Sequence, residues 1–225
     1  AFDYLCDKHG VYKVETIGDS YMVVGGMDGS ADHAERVLGF GIDMLAATKK
    51  IGLPGDSSRS VSIRVGINSG PARAGVVGTK MPRYTFFGDT VNTASRMETN
   101  SFANSIVTSD STRRLLTEVR GLCSFHELEK RSIKGKGMMK THLVVHPNCQ
   151  APDHVLHIIE GKAAAPNSYP SSADSTPHTT PHSRSFAADD RSEADTTLQV
   201  AKADAGTQLC RRITRLRREL GDETL

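Results

Sequence analysis

The chain has 225 residues, 37% of them hydrophobic, and its 28 Lys and Arg against 26 Asp and Glu leave a formal net charge of +2. That length suits one ordinary domain, or a domain with a tail, and the near-balance of charge does not mark a nucleic-acid binder. No apolar run approaches the ~18 residues needed to cross a bilayer. The four cysteines (Cys6, Cys123, Cys149, Cys210) are scattered without a CxxC pair, so they make neither a disulfide framework nor a zinc site.

Residues 1–9 read as the end of a helix whose start is missing. With Ala first and no basic–apolar leader, the chain reads as one that begins inside a larger protein. VYKVETI (11–17) and SYMVVGG (20–26) are β-rich, and Gly18-Asp19 between them is a hairpin signal. A helix follows over 30–50, with Ser30 as N-cap and a stripe of Ala34, Val37, Leu38, Ile42 and Leu45. SVSIRVGIN (60–68) alternates, with Val61, Ile63, Val65 and Ile67 on one face and Arg64 on the other. AGVVG (74–78) reads as a short buried strand and 90–99 as a helix after a Gly88-Asp89 turn. SIVTS (105–109) is a strand, 110–119 a helix, and strands lie near 125–133 and 141–146. This order predicts an α+β fold, a mixed β-sheet covered by helices.

Composition changes near Pro147. Residues 148–206 are rich in Ser, Thr, Pro, Ala and Asp and bury too little to offset chain entropy, so a disordered linker or tail is expected there. The patch VLHII (155–159) could dock locally. TQLCRRITRLRREL (207–220) predicts a short basic amphipathic helix within 207–225, with Leu209, Ile213, Leu216 and Leu220 on one face. Two tempting signals fail. GVVGTK (75–80) lacks the G-x-x-x-x-G-K-[ST] spacing of a P-loop. His178 and His182 are each preceded by a proline, which argues against the helix that would pair them on a metal.

Several segments place unusual polar residues beside glycines: VETIGDSYMVV, RVGINSGPARAGVVG, GDTVNTASRME and RSIKGKGMMKTHLV. Each alone has an ordinary reading, as a turn aspartate, a solvated arginine or a basic turn. Together, in this order, they resemble the catalytic domain of class III nucleotide cyclases, and most nearly the guanylate cyclase branch. The resemblance covers about residues 1–147 and implies a ferredoxin-like core that lacks its first strand and the start of a helix. It also implies two domains packed head to tail, as homodimer or heterodimer, with active sites across the interface.

The resemblance implies the following roles. Asp19 matches the second of two aspartates that hold two Mg²⁺ (or Mn²⁺) ions; the first lies in an upstream strand motif that this chain does not contain. Glu15 and Thr85 match the positions that read the base. A carboxylate at 15 accepts from guanine N1–H and N2–H₂ and would face the unprotonated N1 of adenine, so it argues for GTP. A hydroxyl at 85 is neutral, since it can donate to guanine O6 or accept from an adenine amino group. Asn92 orients the ribose, Arg96 stabilises the α-phosphate in the transition state, Lys134 binds the β- and γ-phosphates, and Arg64 reaches the triphosphate from the opposite subunit. The implied reaction is GTP to cyclic GMP and pyrophosphate, in intracellular signalling. The expected setting is cytoplasmic, below an upstream regulatory domain in a parent that could be membrane-anchored. Two alternatives stand beside it: an adenylate cyclase, and a non-catalytic cyclase-like partner that binds nucleotide or dimerises to regulate a catalytic chain.

Overall fold

A computed structural model describes residues 1–53, 56–117, 119, 123–151, 153, 156 and 194–203. The elements in chain order are α1 (Phe2–His9), β1 (Tyr12–Ile17), β2 (Ser20–Gly25), α2 (His33–Thr48), β3 (Gly52–Leu53), β4 (Asp56–Ser60), β5 (Ile63–Val77) and β6 (Arg83–Phe87), then α3 (Asp89–Thr99), β7 (Ser105–Ser109), α4 (Asp110–Leu115), β8 (Ser124–Ile133), β9 (Gly137–Val145) and β10 (Ala194–Ala203). The main sheet runs β1-β2-β10-β5-β7-β9-β8, with β6 paired to the far half of β5; β3 and β4 form a separate small ladder. Only β5 and β7 are parallel among these pairs; the rest are antiparallel. The sheet is therefore mixed, as the element order predicts. No helix among the described residues is long and apolar enough to cross a membrane.

The period of two along each strand divides the core into two layers. Val23, Ile63, Val65, Ile67, Ile106 and Val144 pack with α1 and α2 on one face. On the other face Met22 and Val24 meet Ala94 of α3, while Val107 and Leu143 meet Met97 of the same helix. Arg64 shares that second face. Expected to point outward, it instead donates from Nε to Glu98 Oε1 of α3 at 2.9 Å, and the Glu98 side chain is only 5% exposed. The alternation was read correctly, but a helix covers the face that alternation alone would leave to solvent. Glu98→Gln should destabilise the domain by about 2 kcal/mol, below the ~3–5 kcal/mol of a fully buried broken pair because Arg64 keeps some water. Urea unfolding of the two proteins gives the difference.

Other expectations need correction. Ser30 does not cap α2: the helix begins after Asp32, and the Ser30 hydroxyl donates to Asp28 at 2.6 Å. Residues 74–77 are not a short buried strand but the far end of the 15-residue β5, with Val76 67% and Val77 52% exposed, and Gly78 lies just beyond it. The helix from 110 stops at Leu115. Within the span expected to be disordered, residues 194–203 form β10, an interior strand of the sheet. Backbone pairing on both of its edges provides the order that its own composition does not predict. The basic helix expected at 207–225 and most of the VLHII patch lie outside the described residues.

Candidate active site

The hairpin β1–β2 closes through Gly18 and Asp19, with Ile17 paired to Ser20. Gly18 sits at φ 60°, a left-handed conformation that glycine adopts without a Cβ penalty. That turn holds the half-buried Asp19 at the hairpin tip. A register shift between Lys13 and Glu15 leaves Val14 as an extra residue, and Val14 packs into the cluster of Met22, Val24 and Phe86. Glu15 then stands opposite Met22 and is half-buried.

Strand β6 lies beside β1. Tyr84 meets Tyr12 edge to face at 6.3 Å between ring centroids, and Phe86 at 5.6 Å. Thr85, half-buried and paired with Gly75, falls between those two aromatics. The two positions expected to read the base are thus carried by neighbouring strands joined through aromatic side chains.

Gly88, at φ 120°, leads directly from β6 into α3. Asn68 of β5 fixes the first turn of that helix: its Nδ2 donates to the Thr90 carbonyl at 3.0 Å, and its Oδ1 accepts from the Ser111 hydroxyl at 3.2 Å. Asn92 and Arg96 lie four residues apart along this anchored helix, so they share a face; Asn92 is exposed and Arg96 half-buried.

The KGKG turn joins β8 to β9. Gly135 and Gly137 have φ of 78° and 71°, and the Lys136 amide donates to the Ile133 carbonyl at 2.8 Å. Lys134 is exposed. The Lys136 ammonium, rather than that of Lys134, binds the Asp89 carboxylate in the first turn of α3. Sequence reasoning weighed Lys136 only as the neighbour that competes with Lys134 for the assignment, and did not single out Asp89 or Asn68. Two lysines in one turn were visible, but the choice between them depends on a partner 47 residues away.

The site residues therefore fall into groups. Glu15 lies on β1 and Thr85 on β6, strands that meet through Tyr12 and Tyr84; Asn92 and Arg96 project from α3; Lys134 sits in a turn tied to α3 through Lys136. Arg64 lies apart from Asn92, at the last turn of α3, on Glu98. A cleft lined by Glu35, Leu38, Ile42 and Leu115 borders α2, and none of the expected site residues lines it. Among the described residues no three His, Cys, Asp or Glu side chains gather as a cation-binding group. Asp19 offers one carboxylate, so the described residues do not fit a two-ion site.

The family model described as the adenylate and guanylate cyclase catalytic domain matches residues 1–146. The chain belongs to that family, and its mixed sheet with helices is the class III cyclase fold. It is 43% identical over 169 residues to the guanylate cyclase soluble subunit beta-2 of Rattus norvegicus, covering 73% of this chain and 23% of that protein. It is 44% identical over 146 residues to the atrial natriuretic peptide receptor 2 of Homo sapiens, covering 63% of this chain and 14% of the receptor. The chain thus spans about a quarter or less of these relatives. Among solved structures, the guanylate cyclase domain of RhGC from Catenaria anguillulae in complex with GTP is similar, with TM-score 0.58, 41% identity, and coverage of 64% of this chain and 78% of that one.

Proposed function

We propose that this chain is a guanylate cyclase catalytic domain that converts GTP to cyclic GMP and pyrophosphate in a head-to-tail pair of such domains. The observation that carries the guanine reading is Glu15, a half-buried carboxylate on β1 beside the strand that bears Thr85. Glu15 accepts from N1–H and N2–H₂ of guanine while Thr85 donates to O6. Asn92 orients the ribose. The 3′-hydroxyl oxygen attacks the α-phosphorus in line, giving up its proton to water and forming the O3′–P bond as the bond to the β-phosphate oxygen breaks and pyrophosphate leaves. Negative charge develops on the phosphoryl oxygens, and Arg96 stabilises it from a helix whose position is fixed before substrate arrives.

Lys134 binds the β- and γ-phosphates, and Lys136 adds a second cation in the same turn, held on Asp89 until an anion competes for it. Arg64 donates its Nε–H to Glu98 within its own chain and reaches the triphosphate of the opposite subunit's site in the paired domains. Asp19 is a ligand toward a divalent cation, Mg²⁺ or Mn²⁺. A two-ion site needs oxygen ligands beyond it.

The partner is a second cyclase domain. The ribbon of β5 and β6 leaves Val76, Val77, Met81, Tyr84 and Phe87 exposed together, the apolar character of a surface that is covered in an assembly. A second reading stands beside it, a nucleotide-binding regulatory partner without its own activity, and absence of the upstream metal aspartate from the parent protein would favour it.

Mixing two variants tests the proposal, each made in a protein extended upstream of Ala1, since this chain with one metal carboxylate is expected to have little activity alone. In the head-to-tail arrangement Asp19 and Arg96 of one chain serve different sites, so Asp19→Ala and Arg96→Ala should each be nearly inactive as homodimers. Random exchange makes about half of the dimers mixed, each with one intact site of two, so cyclic GMP formation from GTP should recover to about a quarter of wild type. A wild-type dimer of the upstream-extended protein, with both metal aspartates present, that binds GTP and makes no cyclic GMP would instead establish the regulatory reading. Activity that stays at the single-variant level after confirmed exchange would remove the shared-site assignment.

A further inference from the structure

The β8–β9 hairpin meets α3 at two places. Ile133, 1% exposed, closes the base of the hairpin in the cluster that holds Met97 of α3. At the tip the Lys136 ammonium binds the Asp89 carboxylate in the first turn of the same helix. Asp89 and Met97 stand about 12 Å apart along the helix axis, at 1.5 Å per residue. The KGKG turn therefore runs beside the stretch of α3 that carries Asn92 and Arg96.

The tip itself is not packed. A Cβ built on Gly135 or Gly137 meets nothing within 4 Å, and Met138 next to them is 63% exposed. The Lys136 amide bonds only within the turn, to the Ile133 carbonyl. The ion pair that ties the tip to α3 is open to water, with the Lys136 side chain 30% and the Asp89 side chain 70% exposed. Such a pair is screened and weak, so a ligand of higher charge can break it. Lys134, two residues away, is exposed. One turn thus presents one exposed cation and one that a carboxylate of its own chain already neutralises.

A polyphosphate that reached both lysines would have to take Lys136 from Asp89. Substrate and product share that phosphate end, because the β- and γ-phosphates of GTP leave as pyrophosphate. Holding it equally before and after the reaction adds nothing to the chemical step and slows departure of the product.

We propose that Asp89 is a resident counter-ion for the phosphate-binding turn. It holds Lys136 on α3 while the site is empty, yields it to the phosphate end of the nucleotide, and takes it back as pyrophosphate leaves. Asp89 is a positioning residue: it acts through Lys136, weakens the hold on pyrophosphate, and sets the resting place of the turn beside Asn92 and Arg96. The proposal rests on the reading of Lys134 and Lys136 as phosphate ligands.

The experiment titrates pyrophosphate into the full chain by calorimetry, in metal-free buffer so that no cation bridges carboxylate and phosphate. Asp89→Asn keeps the size of the side chain and removes its charge. It should tighten pyrophosphate binding about two- to fivefold, the range an exposed ion pair supplies. Lys136→Met should weaken binding, and adding Asp89→Asn to it should change the affinity by less than about 1.5-fold, since only a screened charge remains. Unchanged or weaker binding by Asp89→Asn would overturn the proposal. So would an equal gain with and without Lys136, which would reduce Asp89 to a charge that repels the anion through space. Without any ligand, amide exchange across 135–137 should quicken alike in Asp89→Asn and in Lys136→Met; wild-type rates in both would overturn the resting tether. If Lys134→Met and Lys136→Met both leave pyrophosphate binding at the wild-type value, the phosphate reading of the turn falls, and the counter-ion with it. Weakened binding in those two, beside no change in Asp89→Asn, removes the counter-ion alone.

Discussion

Gly66→Ala is expected to unfold the domain. Gly66 lies on the face of β5 that α3 covers, and a Cβ built there would stand 1.9 Å from the Glu98 amide nitrogen, 2.5 Å from the Met97 carbonyl carbon and 2.6 Å from the Glu98 Cα. All three are backbone atoms, so no rotamer change relieves the clash. The helix must move by more than an ångström, and its anchors are short. Arg64 holds Glu98 at 2.9 Å, Asn68 holds Thr90 at 3.0 Å, and Met97 is fully buried. Overpacking alone costs about 1–3 kcal/mol. Losing the Arg64–Glu98 pair and the Met97 contacts brings the total above ~4 kcal/mol, a severe change for a domain of ordinary stability. Gly75→Ala is the control, since its Cβ would meet only the Phe87 ring at 3.6 Å. Thermal melting by circular dichroism should show Gly75→Ala close to wild type and Gly66→Ala without a cooperative transition. A Gly66→Ala melt within a few degrees of wild type would mean that α3 does not lie on β5 as described.

The sequence motif RVGINSG contains Gly66, and the motif was legible where its reason was not. Strand alternation at Ile63, Val65 and Ile67 and the Gly18-Asp19 turn follow from local rules that a single segment obeys, and both appear in the fold. What failed depended on distant partners. Arg64 reads as solvated until α3 is placed over it. Lys134 and Lys136 are equivalent in sequence, and only the fold shows that Lys136 is the one paired with Asp89. Val76 and Val77 look like a buried strand because apolar residues signal burial, yet the ribbon they belong to projects from the sheet, where a partner domain is the proposed cover. β10 was the least legible element. Its apolar content falls below what an interior strand carries, and the ladder that orders it comes from β2 and β5, more than 100 residues earlier in the chain. Among the candidate site residues, sequence order alone assembled Asn92 with Arg96, because helical spacing is local. Neighbourhood of the strands that carry Glu15 and Thr85 required the Tyr12–Tyr84 contact.

That neighbourhood leads to the largest selectivity change the proposed function predicts: Glu15→Lys with Thr85→Asp should turn a guanine site into an adenine site. Guanine offers two donors, N1–H and N2–H₂, where adenine offers the acceptor N1. At O6 guanine accepts, and adenine instead carries a donating amino group. The paired substitution exchanges donor for acceptor at both places. An unmatched polar group in a closed site costs about 1–3 kcal/mol. Wild type should therefore prefer GTP by about 2–3 kcal/mol, chiefly through Glu15, because the Thr85 hydroxyl tolerates either purine. The double variant should prefer ATP by a similar amount. The change in the ratio is then about a thousandfold to ten-thousandfold, at 1.4 kcal/mol per factor of ten. Both positions are half-buried, so the longer lysine can extend toward solvent and circular dichroism should remain that of the parent fold. Competition of GTP and ATP against a fluorescent guanine nucleotide, and against its adenine counterpart, gives the four dissociation constants without relying on turnover. Thr85→Asp alone should move the ratio far less than Glu15→Lys alone, since only the latter replaces an acceptor that guanine needs with a donor that clashes with N1–H. If both variants bind GTP and ATP with the wild-type ratio, Glu15 and Thr85 do not read the base.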